Sequence, residues 1–90
     1  MIKAIGYRAA TVNMGDDVTD QDGDNYRKWA LADLMLEYPE ASIAVYDSEM
    51  ASTCTSDLED PHEAEQEEYM CLSFMADLWD RCPWEGEFFK

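Results

Sequence analysis

Residues 59–82 read EDPHEAEQEEYMCLSFMADLWDRC, a densely acidic segment that runs without a break into an apolar one. With 3.6 residues per turn, Ala64, Cys71, Met75, Leu78 and Cys82 fall on one face of a helix, with Leu72 and Trp79 beside them. Gln66, Ser73, Asp77 and Asp80 fall opposite, and Pro83 ends the element. A helix with such a stripe has to bury it, so the rest of the fold is expected to assemble against this one.

Working outward, residues 41–47 (ASIAVYD) read as a strand with Ile43 and Val45 on one face. Residues 25–38 read as a helix stopped by Pro39, with Trp29, Ala32 and Leu36 as its apolar stripe, Leu31 and Met35 flanking it, and Tyr26, Asp33 and Glu37 opposite. Asp24 is the expected N-cap, and Arg27 and Lys28 are expected to pair with the preceding aspartates. Residues 2–12 read as extended chain with Gly6 as a bulge, although Lys3, Ile5 and Tyr7 would then share a face. Residues 13–24 and 48–57 read as loops by composition, and Phe88-Phe89 as a short edge strand. The fold class is α+β: a single domain over residues 1–90, with a two- to three-stranded sheet against two helices in the approximate order β-α-β-α(-β). The first two strands could pair parallel through the helix as a crossover, or antiparallel.

Apolar residues make up 47% of the 90, which argues against a disordered acidic tail. The charge is the outlier. Twenty-one acids face six bases for a net −15, and no Lys or Arg occurs from Trp29 to Asp80. Such a balance opposes compaction, suits neither nucleic acid nor an anionic membrane, and favours a basic protein groove. Three irregularly spaced cysteines, Cys54, Cys71 and Cys82, point to reduced thiols in a cytoplasm. The N-terminal segment is too short and too soon interrupted for a signal peptide, and no apolar run approaches a membrane span.

Motifs that carry chemistry are absent or fail on spacing. Asp20-Gln21-Asp22-Gly23-Asp24-Asn25 resembles the start of a calcium-binding EF-hand loop. Counting from Asp20, however, Asn25 stands where the turn glycine belongs and Leu31 where the bidentate Glu belongs. Cys71 and Cys82 are about 16 Å apart along one helix, at about 1.5 Å per residue, too far to share a zinc ion. His62, the single histidine, sits among carboxylates on an exposed first turn with nothing to place a nucleophile against it. No catalytic residue, metal or cofactor is expected, and the chain reads as a non-enzymatic binder.

Its acidity is the informative feature. Glu59, Glu63 and Glu67 recur at four-residue spacing, where Cβ atoms lie about 5–6 Å apart. DNA carries a phosphate about every 3.4 Å along each strand, a spacing of the same order. In size, charge and aromatic content over the whole chain, the sequence resembles small phage- or mobile-element-encoded anti-defence proteins, the DNA-mimicking inhibitors of restriction enzymes and CRISPR effectors. That resemblance implies a host-cytoplasmic inhibitor of a basic nucleic-acid-binding protein. It implies further that Asp16, Asp17, Asp20, Asp22, Glu59, Asp60, Glu63 and Glu67 stand in for phosphates, with Tyr69 or Trp84 adding aromatic contacts. Two other readings stay open. One is a small structural or regulatory subunit that binds a partner, or a second copy as a homodimer, through Cys71, Leu72, Met75, Leu78 and Trp79. The other is halophilic adaptation, in which the acids serve hydration.

Overall fold

The computed structural model describes residues 1–81; the expected helix end at Cys82 and Pro83 and the expected Phe88-Phe89 strand lie outside the described residues. The elements follow as β1 (Ile2–Arg8), a 3-10 turn (Thr11–Asn13), α1 (Asp20–Glu37), β2 (Ser42–Tyr46), β3 (Thr53–Ser56) and α2 (Pro61–Asp80). The class is α+β as expected, in the order β-α-β-β-α. β1 is the central strand, parallel to β2 and antiparallel to β3. Of the two pairings the sequence left open, the crossover is the one formed.

β3 stands where a loop was expected. Thr53-Cys54-Thr55-Ser56 is too short and polar to announce a strand, yet the free edge of β1 supplies its ladder, with Ile5 opposite Cys54 and Gly6 opposite Thr53. The bulge of β1 falls at Lys3, between Ile2 and Ala4, and not at Gly6. The extra residue turns Lys3 outward while Ile2, Ile5 and Tyr7 stay buried, which resolves the imperfect alternation. β1 ends at Arg8, short of the expected Val12, because β2 runs out at Tyr46, whose carbonyl takes the Ala9 N–H at 2.8 Å.

Both helices lie on the face of the sheet that carries Ile5, Tyr7, Ile43, Val45 and Cys54, and they run antiparallel. Tyr26 near the start of α1 meets Trp79 near the end of α2, with ring centroids 6.1 Å apart. Tyr38 just after α1 meets Phe74 further back along α2 at 6.0 Å. Cys71, Met75 and Leu78 of α2 are buried, as the periodicity requires. The apolar face proposed for a partner or a second copy is therefore largely spent within the chain.

α1 departs from its expected register. It begins at Asp20, five residues early, because Thr19 and Asp22 form a reciprocal capping box: Thr19 Oγ1 accepts from the Asp22 N–H, and Asp22 Oδ2 from the Thr19 N–H. Thr19, not Asp24, is the cap, and the aspartates of the would-be calcium loop are helical. The buried face is Gly23, Tyr26, Arg27, Ala30 and Leu34, while Leu36, assigned to the core by its spacing, is 81% exposed. Tyr26, expected on the far side, is fully buried, and its hydroxyl shares a 2.7 Å hydrogen bond with that of Tyr7.

The rotation of α1 is fixed where it crosses the 3-10 turn. Arg27, almost wholly buried, donates to the Ala9 carbonyl at 2.8 Å and to Thr11 Oγ1 at 3.0 Å, and it pairs with Asp24 at 2.8 Å. Asp47, after β2, receives the Thr11 N–H at 3.0 Å and lies 3.6 Å from the same guanidinium. Gly23 makes this approach possible: a Cβ there would overlap Thr11 Oγ1 and lie 3.0 Å from the Thr11 Cβ.

Gly23→Ala therefore pits two effects against each other. Helix propensity alone would stabilise by about 1 kcal/mol, whereas forcing a methyl group into Thr11 costs about 1–3 kcal/mol. Urea unfolding is expected to show net destabilisation; a stabilised variant would mean that the turn and α1 are not held this closely.

Candidate binding surface

The acids expected to act together are divided between opposite ends of the molecule. Asp16 and Asp17, in the turn before α1, and Asp20 and Asp22, in its first turn, lie at the end where β1 and β2 finish. Glu59, Asp60 and Glu63 surround the start of α2, at the end where β1 begins: there the Asp57 N–H donates to the Met1 carbonyl at 3.0 Å. The 18 residues of α1 separate the two groups by about 27 Å, at about 1.5 Å per residue.

Each group collects further carboxylates from the neighbouring helix. Glu37 and Glu40, around the C-terminus of α1, share a cleft with Glu67 of α2. Asp77 and Asp80, in the last turn of α2, belong to the end where α1 begins, since Trp79 rests on Tyr26. Neither helix has a basic residue in its last turn. Acids at a helix C-terminus oppose the macrodipole by typically about 0.3–1 kcal/mol each. Glu37, Asp77 and Asp80 thus sit where stability alone would place Lys or Arg.

Not every expected phosphate mimic is free to act as one. Glu67 accepts from Ser56 Oγ at 2.8 Å and pairs with the Met1 amino group at 3.0 Å, so it closes α2 onto β3 and the start of β1. Asp22 is engaged in the capping box, and Asp60 caps α2 by accepting the His62 N–H at 2.9 Å. Asp16, Asp17, Asp20, Glu59 and Glu63 are exposed and make no ion pair among the described residues, as do Glu37, Glu40, Glu49, Glu65, Asp77 and Asp80. Sequence reasoning passed over Glu37, Glu40 and Glu65; the four-residue spacing that drew attention to Glu67 marks a helix face, and here that face is partly inward. Tyr69 is 71% exposed, as an aromatic contact requires, and Trp84 lies outside the described residues.

The other face of the sheet is different in character. Pleating and register place Ala4, Gly6 and Arg8 of β1, Ser42, Ala44 and Tyr46 of β2, and Thr53 and Thr55 of β3 on it. None is acidic, and Arg8 lies over the Tyr46 ring with its guanidinium carbon 5.1 Å from the centroid. The charge is therefore polarised, with carboxylates on the helical layer and both ends and none on the uncovered strands.

Among the described residues no three of His, Cys, Asp and Glu are placed to hold a metal ion, and no helix is long and apolar enough to cross a membrane. His62 is exposed on the first turn of α2. A groove of about 560 Å³ between α2 and the end of β1, lined by Tyr7, Arg8, Leu72, Met75, Trp79 and Asp80 among others, is mainly apolar. Cys54 and Cys71, which the sequence keeps apart, come together: Cys54 Sγ donates to the Glu68 carbonyl at 3.2 Å, three residues before Cys71 on α2, and Cys54 and Tyr38 pack against the core that contains Cys71. Burial, and then the neighbouring Cys71, push the Cys54 thiol from its ordinary 9.0 up to about 12. Burial likewise raises Cys71 and Tyr38. No protein-family model matches the sequence, and no curated protein or solved structure matches it.

The raised thiols make the fold sensitive to alkali. The unfolded chain deprotonates Cys54 near 9.0 and the folded chain only near 12, so the contribution is complete below pH 9 and is lost as pH climbs toward 12. Denaturant midpoints are expected to fall across that interval, and Cys54→Ala is expected to flatten the fall. An equally steep fall in that variant would place the alkaline sensitivity elsewhere.

Proposed function

We propose that the protein is a non-enzymatic acidic inhibitor that occupies the cationic nucleic-acid-binding groove of a host protein, such as a CRISPR effector or a restriction enzyme. The observation that carries this reading is the set of carboxylates at Glu37, Asp77 and Asp80, which make no ion pair among the described residues and sit at helix C-termini where they oppose the dipole. Solubility alone does not account for acids that weaken the helices bearing them, whereas a surface selected for its field does. The acid-free outer face of the sheet agrees, because halophilic hydration would spread carboxylates over every exposed surface. The elongated body, 44 × 22 × 17 Å, with carboxylates at both ends, suits a channel built to hold a length of nucleic acid.

Within this reading Glu59, Glu63 and Glu65 form one contact group, with Asp60 fixed beside them as the cap of α2, and Asp16, Asp17, Asp20, Asp77 and Asp80 form the other. Glu67 and Asp22 support them by holding the helices in place. Steering by such a surface is screened beyond about 8–10 Å near physiological salt, so capture depends on ionic strength.

The test is affinity capture from bacterial lysate at low salt, followed by elution with duplex DNA. The partners released are expected to be basic nucleic-acid-binding proteins. Glu63→Lys combined with Glu65→Lys is expected to weaken capture by about tenfold or more, equivalent to about 1.4 kcal/mol, without changing the unfolding midpoint. Partners that resist both DNA and the double reversal would contradict the proposal.

A further inference from the structure

We infer that Cys54 and Cys71 form a reversible dithiol–disulfide pair that ties β3 covalently to α2. The observation is geometric. Cys54 Sγ, on an edge strand, donates to the Glu68 carbonyl at 3.2 Å. Cys71 stands three residues further along α2, on the same side of the helix, with its side chain fully buried. Both side chains therefore lie within one turn of each other on the sheet-facing side of α2, and a bond forms when the sulfurs close to the about 2.05 Å of a disulfide. The surroundings limit other pairings: Cys71 faces the sheet, and the neighbouring Glu67 and Glu68 hold α2 to Ser56 through its hydroxyl and its N–H.

The oxidant is a small disulfide of the glutathione class. Cys54, on the edge strand and less buried than Cys71, is the first thiol to react. The Cys54 thiolate, its proton released to water, attacks one glutathione sulfur, forming a mixed disulfide and expelling a glutathione thiolate. The Cys71 thiolate then attacks the Cys54 sulfur, closing the intramolecular bond and expelling the second glutathione thiolate. Two protein thiols lose two hydrogens in all, one small disulfide becomes two small thiols, and the electrons balance. The raised thiol pKa values make the forward step slow near neutrality. The resulting bridge would pin the acid-bearing half of α2 to the sheet edge through a loop that the reduced chain leaves open.

The test uses the full chain carrying Cys82→Ser, incubated natively in oxidised glutathione and then acid-quenched, alkylated and mass-analysed. A monomer lighter by two hydrogens is expected, with peptide mapping placing the bond between Cys54 and Cys71. The urea midpoint is expected to rise by about 1 M relative to the same protein reduced. In the chain with all three cysteines, the same bond should form and Cys82 should remain alkylatable. The inference is overturned by a disulfide-linked dimer, by a bond that includes Cys82, or by a glutathione adduct that persists on Cys54. It is overturned equally if both thiols stay free in the native protein while the same oxidant bridges them in urea.

Discussion

One apolar layer, enclosed between a three-stranded sheet and two antiparallel helices, has to hold this chain together against a net charge of −15. The layer is small: Ile2, Ile5, Tyr7, Tyr26, Ala30, Leu34, Cys71, Met75 and Leu78 make up most of it. Burying each large side chain contributes about 1.5–3 kcal/mol, and a domain this size retains little after conformational entropy is subtracted. The arrangement of charge therefore matters to whether the chain folds at all. Because the helices are antiparallel, their N-termini lie at opposite ends, and the acids gathered there divide into groups about 27 Å apart, the length of α1 at about 1.5 Å per residue. That is well beyond the screening length of about 8–10 Å, so each group is nearly blind to the other. Helix dipoles offset the acids at the N-termini; the carboxylates at the C-termini oppose them, and the one cation there among the described residues, Arg81 at the C-cap of α2, pairs with Asp33 at 3.5 Å.

The node around Arg27 shows how the fold concentrates its few positive charges. A guanidinium within reach of Asp24 and Asp47, and bonded to Ala9 and Thr11, joins the exit of β1, the first turns of α1 and the end of β2. A buried charge is tolerated only when paired and hydrogen-bonded on this scale. With Arg27 spent inside, the bases left on the described surface are few, and Arg8 lies on the acid-free sheet face. The segregation of charge is thus a product of the core as much as of the surface.

Much of α2 was legible in the sequence, because Cys71, Met75 and Leu78 repeat with a helical period beside polar positions that never interrupt it. α1 was legible as an element but not in its rotation. Leu31, Met35 and Leu36 make its C-terminal half apolar all round, and the choice of face fell to the Gly23–Thr11 contact and the Arg27 node, which join parts of the chain that no local pattern connects. β3 was hidden for a related reason: Thr-Cys-Thr-Ser becomes a strand because β1 offers an edge. The acids were visible as a list, yet their division between two ends follows from helix direction, which follows from strand order. The contact between Cys54 and Cys71 was invisible on the same grounds.

The proposed function rests on one claim: rigidly held, unneutralised carboxylates on the helical layer would form the working surface, and the uncovered strands would not. Hydrogen–deuterium exchange of the protein bound to a captured basic partner addresses it most directly. Protection gained at residues 16–24, 59–66 and 76–80, with Ala4, Gly6, Ser42, Ala44, Thr53 and Thr55 unchanged, is the predicted result. Protection concentrated on those strand residues, with both acidic ends unaltered, would contradict it.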